Sequence, residues 1–575
     1  MSRNKDPEVC YHPRALTQRT TQGRKGERVL VQWDDEVDLV CVGSGIGGCA
    51  AAIAGAEAGL KVTLLEKSYK LGGTTAWSYG IVWVGNSPLA REKGVEDTAG
   101  ETRAYLDYLG GGRNDPDVTQ SFVEHAPQAL RFFETVGRIP FYVVEGLPDH
   151  YYPVGQGSKT MGRSHQVHPF AASNLGPWQE RLDFTPYKFG RVTFEEVSAG
   201  GGMASHRQWD HALIAEREAK DVRTFGGSLA GYFLKAVIER GIPIRTETEA
   251  CRLIFNEGRV VGIEVEAGGK RMAIGTSRGV VLATGQYDAN PRLMGLFDEF
   301  NSWPPRGAPR NRGDGFVIAA EQGAAFKVMH WNLSTMLGYH VKGESIEGQP
   351  LTRGAGSREV AFPHSILVNR SGKRFADESF FGDVATKLHH FDVWSHRPLN
   401  VPCYLIFDSQ YWTKYGLPPL SPGSELPDWL PHAPTVADLA RQLGIDASAL
   451  MATIDRFNSF VASGHDEDFQ RGRILWSRQA AGDSTQKNPN LGSLSQAPFV
   501  GIEMLPVGNS VGLLTNGSGQ VIHLRGHPIP GLYACGEVAA SLHVGVGYQA
   551  GLSLAGAMTF GWLAAQHAAQ RSLGT

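Results

Sequence analysis

The stretch VDLVCVGSGIGGCAAAIAGAEAGLKVTLLEK, residues 37 to 67, decides the fold. Val37 to Val42 are short and mostly apolar, as a buried strand requires. A glycine turn, GSGIGG, follows at once and leads into AAAIAGAEAGL, a small-residue helix that can lie close to a sheet. A second apolar strand, KVTLLEK, ends on Glu66, 18 residues beyond Gly48. Strand, glycine turn, helix, strand and acid in this order form a dinucleotide-binding unit. Gly43 makes the tight turn, Gly45 lets the backbone approach a pyrophosphate, and Gly48 lets the helix pack on the sheet, with Ser44 and Gly47 completing the loop. The helix N-terminus offers unpaired N–H groups and a positive dipole end to phosphate, and Glu66 can accept from ribose hydroxyls.

Working outward, KLGGTTAWSYGIVW (70–83) brings paired glycines and threonines beside this unit. SLAGYFLKAVIERG reads as a helix, IPIRTET as a strand, and CRLIFNEGRVVGIEVEA as a hairpin turning at Asn256, Glu257 and Gly258. RGVVLATG then gives an apolar strand ending in Ala283, Thr284 and Gly285. A similar strand-then-glycine pattern returns at GLYACGE, 531 to 537. The sequence therefore predicts an α/β protein with a discontinuous Rossmann-like domain, residues 36–300 and 505–575, after an extension over 1–35. Residues 301–504, with their prolines, aromatics and the strand-turn-strand run HSILVNRSGKRFADES, are expected to form an inserted α+β capping domain.

The chain has 575 residues, which suits several domains of roughly 100–200 residues each. With 55 basic and 58 acidic residues, no global positive field exists to gather nucleic acid. The six cysteines form no Cys-x-x-Cys pair, which argues against a zinc ribbon or a disulfide framework and for a reducing compartment. The N-terminus lacks a secretory apolar core, so a cytoplasmic location is expected. Leu552 to Ala565 is a largely apolar run of 14 residues, too short for a span of about 20, and no transmembrane helix is predicted. No metal site is expected: His389 and His390 in KLHHFD read as exposed or satisfied histidines. GLSLA, from Gly551, lacks the last glycine of a nucleophile elbow and a partnered His or Asp, which argues against a hydrolase.

The motifs VGSGIGG, LLEKSYKLGGTTAWS, VVLATG, GDGF, VNRSGKRFADES and IPGLYACGE, in this order, resemble the flavoprotein family of succinate dehydrogenase and fumarate reductase flavoprotein subunits and 3-ketosteroid dehydrogenases. The resemblance implies FAD, held without the histidine link of succinate dehydrogenases. It adds Lys67, Gly72, Gly73, Thr74, Thr75, Ala283, Thr284, Gly285, Asp314, Gly536, Glu537, Ser553 and Leu554 to the expected cofactor contacts. Fumarate reductases place an arginine after the Gly-Glu motif to clamp a carboxylate. Here that place reads LHVGVGYQAGLSL, with no arginine between Glu537 and Arg571.

The same segment resembles that of 3-ketosteroid dehydrogenases, in which a tyrosine hydroxyl and a glycine N–H hold a ketone. The glycine falls on Gly551, and the Δ4-type pattern places the tyrosine on Tyr548, whereas the Δ1-type pattern would place it on Gly547. PDHYYPVGQGSKTMGRS resembles a Δ1-type stretch whose active-site tyrosine maps to Tyr151 or Tyr152. The family's usual base, a tyrosine after Asn-Glu-Ser, is replaced by Gly382 in DESFFGD, leaving Tyr151, Tyr152, Tyr187, His389 and His390 as candidates. The expected activity is α,β-desaturation of a cyclic ketone, a 3-oxosteroid or a cyclohexanone, with hydride passing to flavin N5 and onward to an unidentified electron acceptor. The alternatives are a reductase of an activated alkene on the same fold and a non-catalytic flavin redox module.

Overall fold

Apolar β-branched runs bounded by glycine build a central sheet whose strands are supplied from both ends of the chain. β1 (Asp35–Val42), α1 (Ile46–Glu57) and β2 (Val62–Leu65) form the first unit. α2 (Phe225–Glu239) leads to β3 (Ile244–Arg245), to the hairpin β4 (Thr248–Asn256) and β5 (Arg259–Ala267), and to the long β6 (Lys270–Leu282). β7 (Gln520–Ile522), β8 (Pro528–Ala534) and α3 (Leu552–Gln570) return from the far end of the sequence. The computed structural model describes residues 32–185, 188–298, 304–305, 307–329, 336–354, 359–508 and 511–571; Tyr187 and most of the N-terminal extension lie outside them.

The sheet order is β7-β8-β6-β1-β2-β3, with β5 paired to β6 and β4 to β5. β1 runs parallel to β2 and β6, and β6 parallel to β8. Val42 pairs with Leu65 and Leu282, and Leu282 with Ala534, so four strands end at one edge. Ligands of open α/β sheets bind outside this carboxyl edge.

A second, antiparallel sheet orders Gln349–Gly354, Met336–Ile346, Phe499–Val507, Cys403–Phe407 and Ser365–Asn369. The expected return strand after Ser365–Asn369 is reduced to a single bridge, Val368 to Arg374. Arg374 is instead committed to a buried ion cluster, donating to Glu378 at 2.7 Å and to Asp466 at 2.8 Å. Asp314–Ala320 and Phe326–Val328 do not join this sheet. Phe316, Ile318, Ala319 and Ala324 pack in the same apolar cluster as Val40, Val280 and Leu532 of the parallel sheet. The antiparallel layer therefore begins after these elements rather than at 301, and its strand Phe499–Val507 runs past 504.

α3 is 19 residues long, and no helix among the described residues is long and apolar enough to cross a membrane. Its glycines serve packing. A Cβ on Gly561 would stand 2.5 Å from the Gly47 carbonyl oxygen, so the bare backbones of α1 and α3 touch there.

Candidate active site

The loop between β1 and α1 closes because Gly43 in the loop and Gly48 in the first turn of α1 carry no side chain. A Cβ on Gly48 would lie 1.8 Å from the carbonyl oxygen of Gly43, which no L-residue with a side chain can satisfy. Ser44 donates to one oxygen of Glu66 from its N–H at 3.1 Å and from its hydroxyl at 2.6 Å. The other oxygen accepts from the Ser68 N–H at 2.9 Å, so the carboxylate is fixed at the end of β2. A second glycine turn faces the first: Gly72 N–H donates to Ser44 Oγ at 3.0 Å, and Ile46 N–H to Thr75 Oγ1 at 3.1 Å. A Cβ on Gly73 would lie 4.0 Å from Gly45.

The neighbouring motifs close on the same edge. Asn311 donates to Thr74 Oγ1 at 3.0 Å, and Lys67 pairs with Asp314. Thr284, between Ala283 and Gly285 at the end of β6, packs against Gly315, and its hydroxyl is buried with no hydrogen-bond partner among the described residues. Gly536, Glu537, Ser553 and Ala557 line one cleft after β8. The first-turn N–H groups of α3, including those of Ser553 and Leu554, have no partner within the helix by its geometry.

Beyond the N-terminus of α3 lies a cluster of rings. Gly551 caps the helix with φ +93°, and its carbonyl accepts from the Trp83 N–H at 3.2 Å. A Cβ there would lie 2.8 Å from that same nitrogen, so the close approach requires glycine. The Tyr548 ring meets Phe381 edge-on at 5.1 Å and His150 at 5.6 Å. His150 lies 4.2 Å from Trp476 and 5.5 Å from Phe381. Four segments distant in sequence therefore share one apolar cluster: Leu147 to His150, Phe380 to Ala385, Ile474 to Trp476, and Tyr548.

His150 is buried, and both of its ring nitrogens are unpartnered among the described residues. Burial pushes its pKa down to about 3, so the imidazole is neutral at ordinary pH. Its backbone N–H donates to Gln549 Oε1 at 2.7 Å, an oxygen that also accepts from the Tyr105 hydroxyl at 2.7 Å. The adjacent Asp149 anchors the loop, accepting from Arg163 at 2.9 Å and from the Trp83 indole at 2.8 Å. Arg163 also donates to Asp97 at 2.7 Å, and the whole network is buried.

Of the adjacent pair Tyr151 and Tyr152, Tyr151 has its ring edge-on to Phe380 at 5.0 Å and to Tyr108 at 5.6 Å, and burial pushes its hydroxyl pKa up. Tyr152 makes no ring contact with Tyr548 or His150 among those described. Gly382 is buried at the start of the helix Phe381–Leu388, with His389 and His390 at its far end. His150, Gln549, Phe381 and Trp476 were not singled out in the sequence. Three of them flank residues that were, His150 beside Tyr151, Gln549 beside Tyr548 and Phe381 beside Gly382, but nothing local marks which neighbour turns inward.

The FAD binding domain family matches residues 38–554. The chain belongs to this flavoprotein family. The flavoprotein is 31% identical over 576 residues to the 3-oxosteroid 1-dehydrogenase of Mycobacterium tuberculosis, covering 93% of this chain and 99% of that one. It is 33% identical over 553 residues to the 4-oxocyclohexanecarboxylate 2-dehydrogenase of Sinomonas cyclohexanicum, covering 93% of each. The crystal structure of 3-ketosteroid Δ1-dehydrogenase from Sterolibacterium denitrificans, in complex with 1,4-androstadiene-3,17-dione, matches with a TM-score of 0.84 and 29% identity, covering 93% of this chain and 99% of that one. The flavoprotein is thus a ketosteroid dehydrogenase-like, FAD-dependent oxidoreductase.

Proposed function

We propose that this flavoprotein introduces a double bond α,β to the carbonyl of an uncharged ring ketone, of which a 3-oxosteroid fits best. The observation that carries the reading is the chemistry around the start of α3. Val538 to Gln570 contains no charged residue, and the cluster that Tyr548 joins is made of Leu147, Phe380, Phe381, Ala385, Ile474 and Trp476. A dicarboxylate, or a ring bearing a carboxylate, would bury its charge there without a counter-ion, at a cost of several kcal/mol. A ketone needs only donors.

In this reading the Tyr548 hydroxyl and the Gly551 N–H donate to the carbonyl oxygen. They stabilise the negative charge that develops as the α-proton leaves, in a site from which the rings exclude water. The cradle fits FAD: Gly43, Ser44, Gly45, Gly47 and Gly48 would hold the pyrophosphate against α1, and Glu66 the ribose. Thr74, Thr75 and the orphaned Thr284 hydroxyl, with Ser553 and Leu554 at the head of α3, would face the rest of the cofactor. When bound, FAD supplies the acceptor for the hydride from the β-carbon. We further propose that it is held without a covalent link, so that acid precipitation should leave the yellow colour in the supernatant.

The test is dye-coupled turnover with a 3-oxosteroid beside 4-oxocyclohexanecarboxylate. The steroid should be the faster substrate, and Tyr548→Phe should keep FAD while losing about 10²- to 10³-fold in turnover. Undiminished turnover in Tyr548→Phe would sink the reading.

A further inference from the structure

We infer that the imidazole of His150 accepts the α-proton of the ketone, in place of the side chain that Gly382 lacks. The inference rests on the carbonyl reading above and deepens it. Removing hydrogen from the α- and β-carbons needs a proton acceptor on the carbonyl's side of the site, and the family's position for it is bare. His150 meets the requirement by geometry. It is in ring contact with Tyr548, the carbonyl donor, and with Phe381, the neighbour of Gly382. Both of its ring nitrogens are buried without a partner among the described residues, so a lone pair is available there. Its main chain is tied to the carbonyl-binding turn itself, because Gln549, next to Tyr548, accepts the His150 N–H at 2.7 Å.

The tyrosine alternatives are less suited. Tyr151 is enclosed by Tyr108 and Phe380, where burial raises its hydroxyl pKa; such a phenol keeps its proton at neutral pH and cannot take another. The neutral imidazole has the opposite default, being unprotonated and ready to accept. It is a weak base in its apolar surroundings, but the enolate forming on Tyr548 would place a negative charge beside the new imidazolium and favour it.

In the step so described the α-carbon–hydrogen bond breaks and its proton goes to an imidazole nitrogen. The electron pair left behind forms the new carbon–carbon double bond as the β-hydrogen departs with its own pair as hydride. With FAD bound, it would accept that hydride and so take the two electrons that the ketone loses, and the proton would pass from His150 to water when product leaves.

The experiment separates proton removal from hydride transfer. The holoenzyme is reduced with dithionite so that it cannot take a hydride, then mixed in light water with a 3-oxosteroid deuterated at its α-positions. Loss of deuterium is followed by NMR against the uncatalysed rate. Wild type should wash out the label, while His150→Ala and the isosteric, non-basic His150→Gln should both be slower by at least about 100-fold. Flavin absorbance and the steroid-induced shift of the flavin spectrum should be unchanged in both, and added imidazole should restore exchange to His150→Ala. Wild-type exchange in either variant overturns the assignment and leaves the carbonyl reading standing. A wild-type enzyme that neither exchanges nor dehydrogenates any ring ketone overturns the carbonyl reading, and the assignment falls with it.

Discussion

The glycine cradle around the start of α1 and the ring cluster before α3 are built in opposite ways. The cradle is made of backbone: glycines whose missing Cβ atoms let turns close, N–H groups at helix starts, and one carboxylate fixed by Ser44 and Ser68. The ring cluster is made of side chains that arrive from four distant segments and are aligned by a buried scaffold of Arg163, Asp149, Asp97 and Gln549. A backbone site is intolerant of added atoms. A side-chain site is intolerant of lost partners.

The sharpest break of that comparison is Gly48→Ala. One methyl group, 1.8 Å from the Gly43 carbonyl oxygen, should displace the loop and remove most of the bound flavin, read as absorbance per protein after purification. Flavin retained at wild-type level would mean that the loop can relax. Next in size is Arg163→Met, which leaves Asp149 and Asp97 buried without their cation. It should cost about 3–5 kcal/mol in denaturant unfolding, while the flavin spectrum of the remaining folded protein is preserved. Gln549→Leu should cost about 1–3 kcal/mol, because the Tyr105 hydroxyl and His150 N–H lose their shared acceptor. Its loss of turnover should exceed its loss of stability, since the ring of His150 is no longer held against Tyr548.

A further effect concerns pH. Burial pushes the pKa values of His165 and His543 down to about 4 from an unfolded value near 6.5. Between those values the unfolded chain binds a proton that the native state refuses. Stability is therefore full above pH of about 6.5 and falls as the pH drops, by up to about 1.4 kcal/mol per unit for each group. His543→Phe should make the acid limb of a stability–pH curve shallower by one proton; an unchanged slope would show that His543 is not buried neutral.

The two regions also differ in how much the sequence disclosed. The Gly43 to Glu66 unit, the hairpin at Asn256 to Gly258 and the return of the chain at β8 were legible because each rests on chemistry between near neighbours: a turn, a period, an acid at a fixed spacing. Domain limits were less legible. The helix Asp314–Ala320 and the strand Phe326–Val328, which pairs with Val511–Leu513, would suit either layer by sequence, and only their place in the same apolar cluster as Val280 and Leu532 sets them against the parallel sheet. The ring cluster was half legible: Tyr548 and Gly551 stood out by motif, whereas His150, Phe381 and Trp476 carry no local mark.

By itself the sequence determined a dinucleotide fold and a start to α3 that carries no arginine for a carboxylate, because glycine, helix and acid act through the local backbone; FAD was implied by the resemblance to a flavoprotein family. Only the tertiary structure decided which of three adjacent residues, His150, Tyr151 or Tyr152, shares rings with Tyr548. Neighbours along an irregular loop point in directions set by distant partners, here the Asp149–Arg163 pair and Gln549, and no spacing rule encodes them.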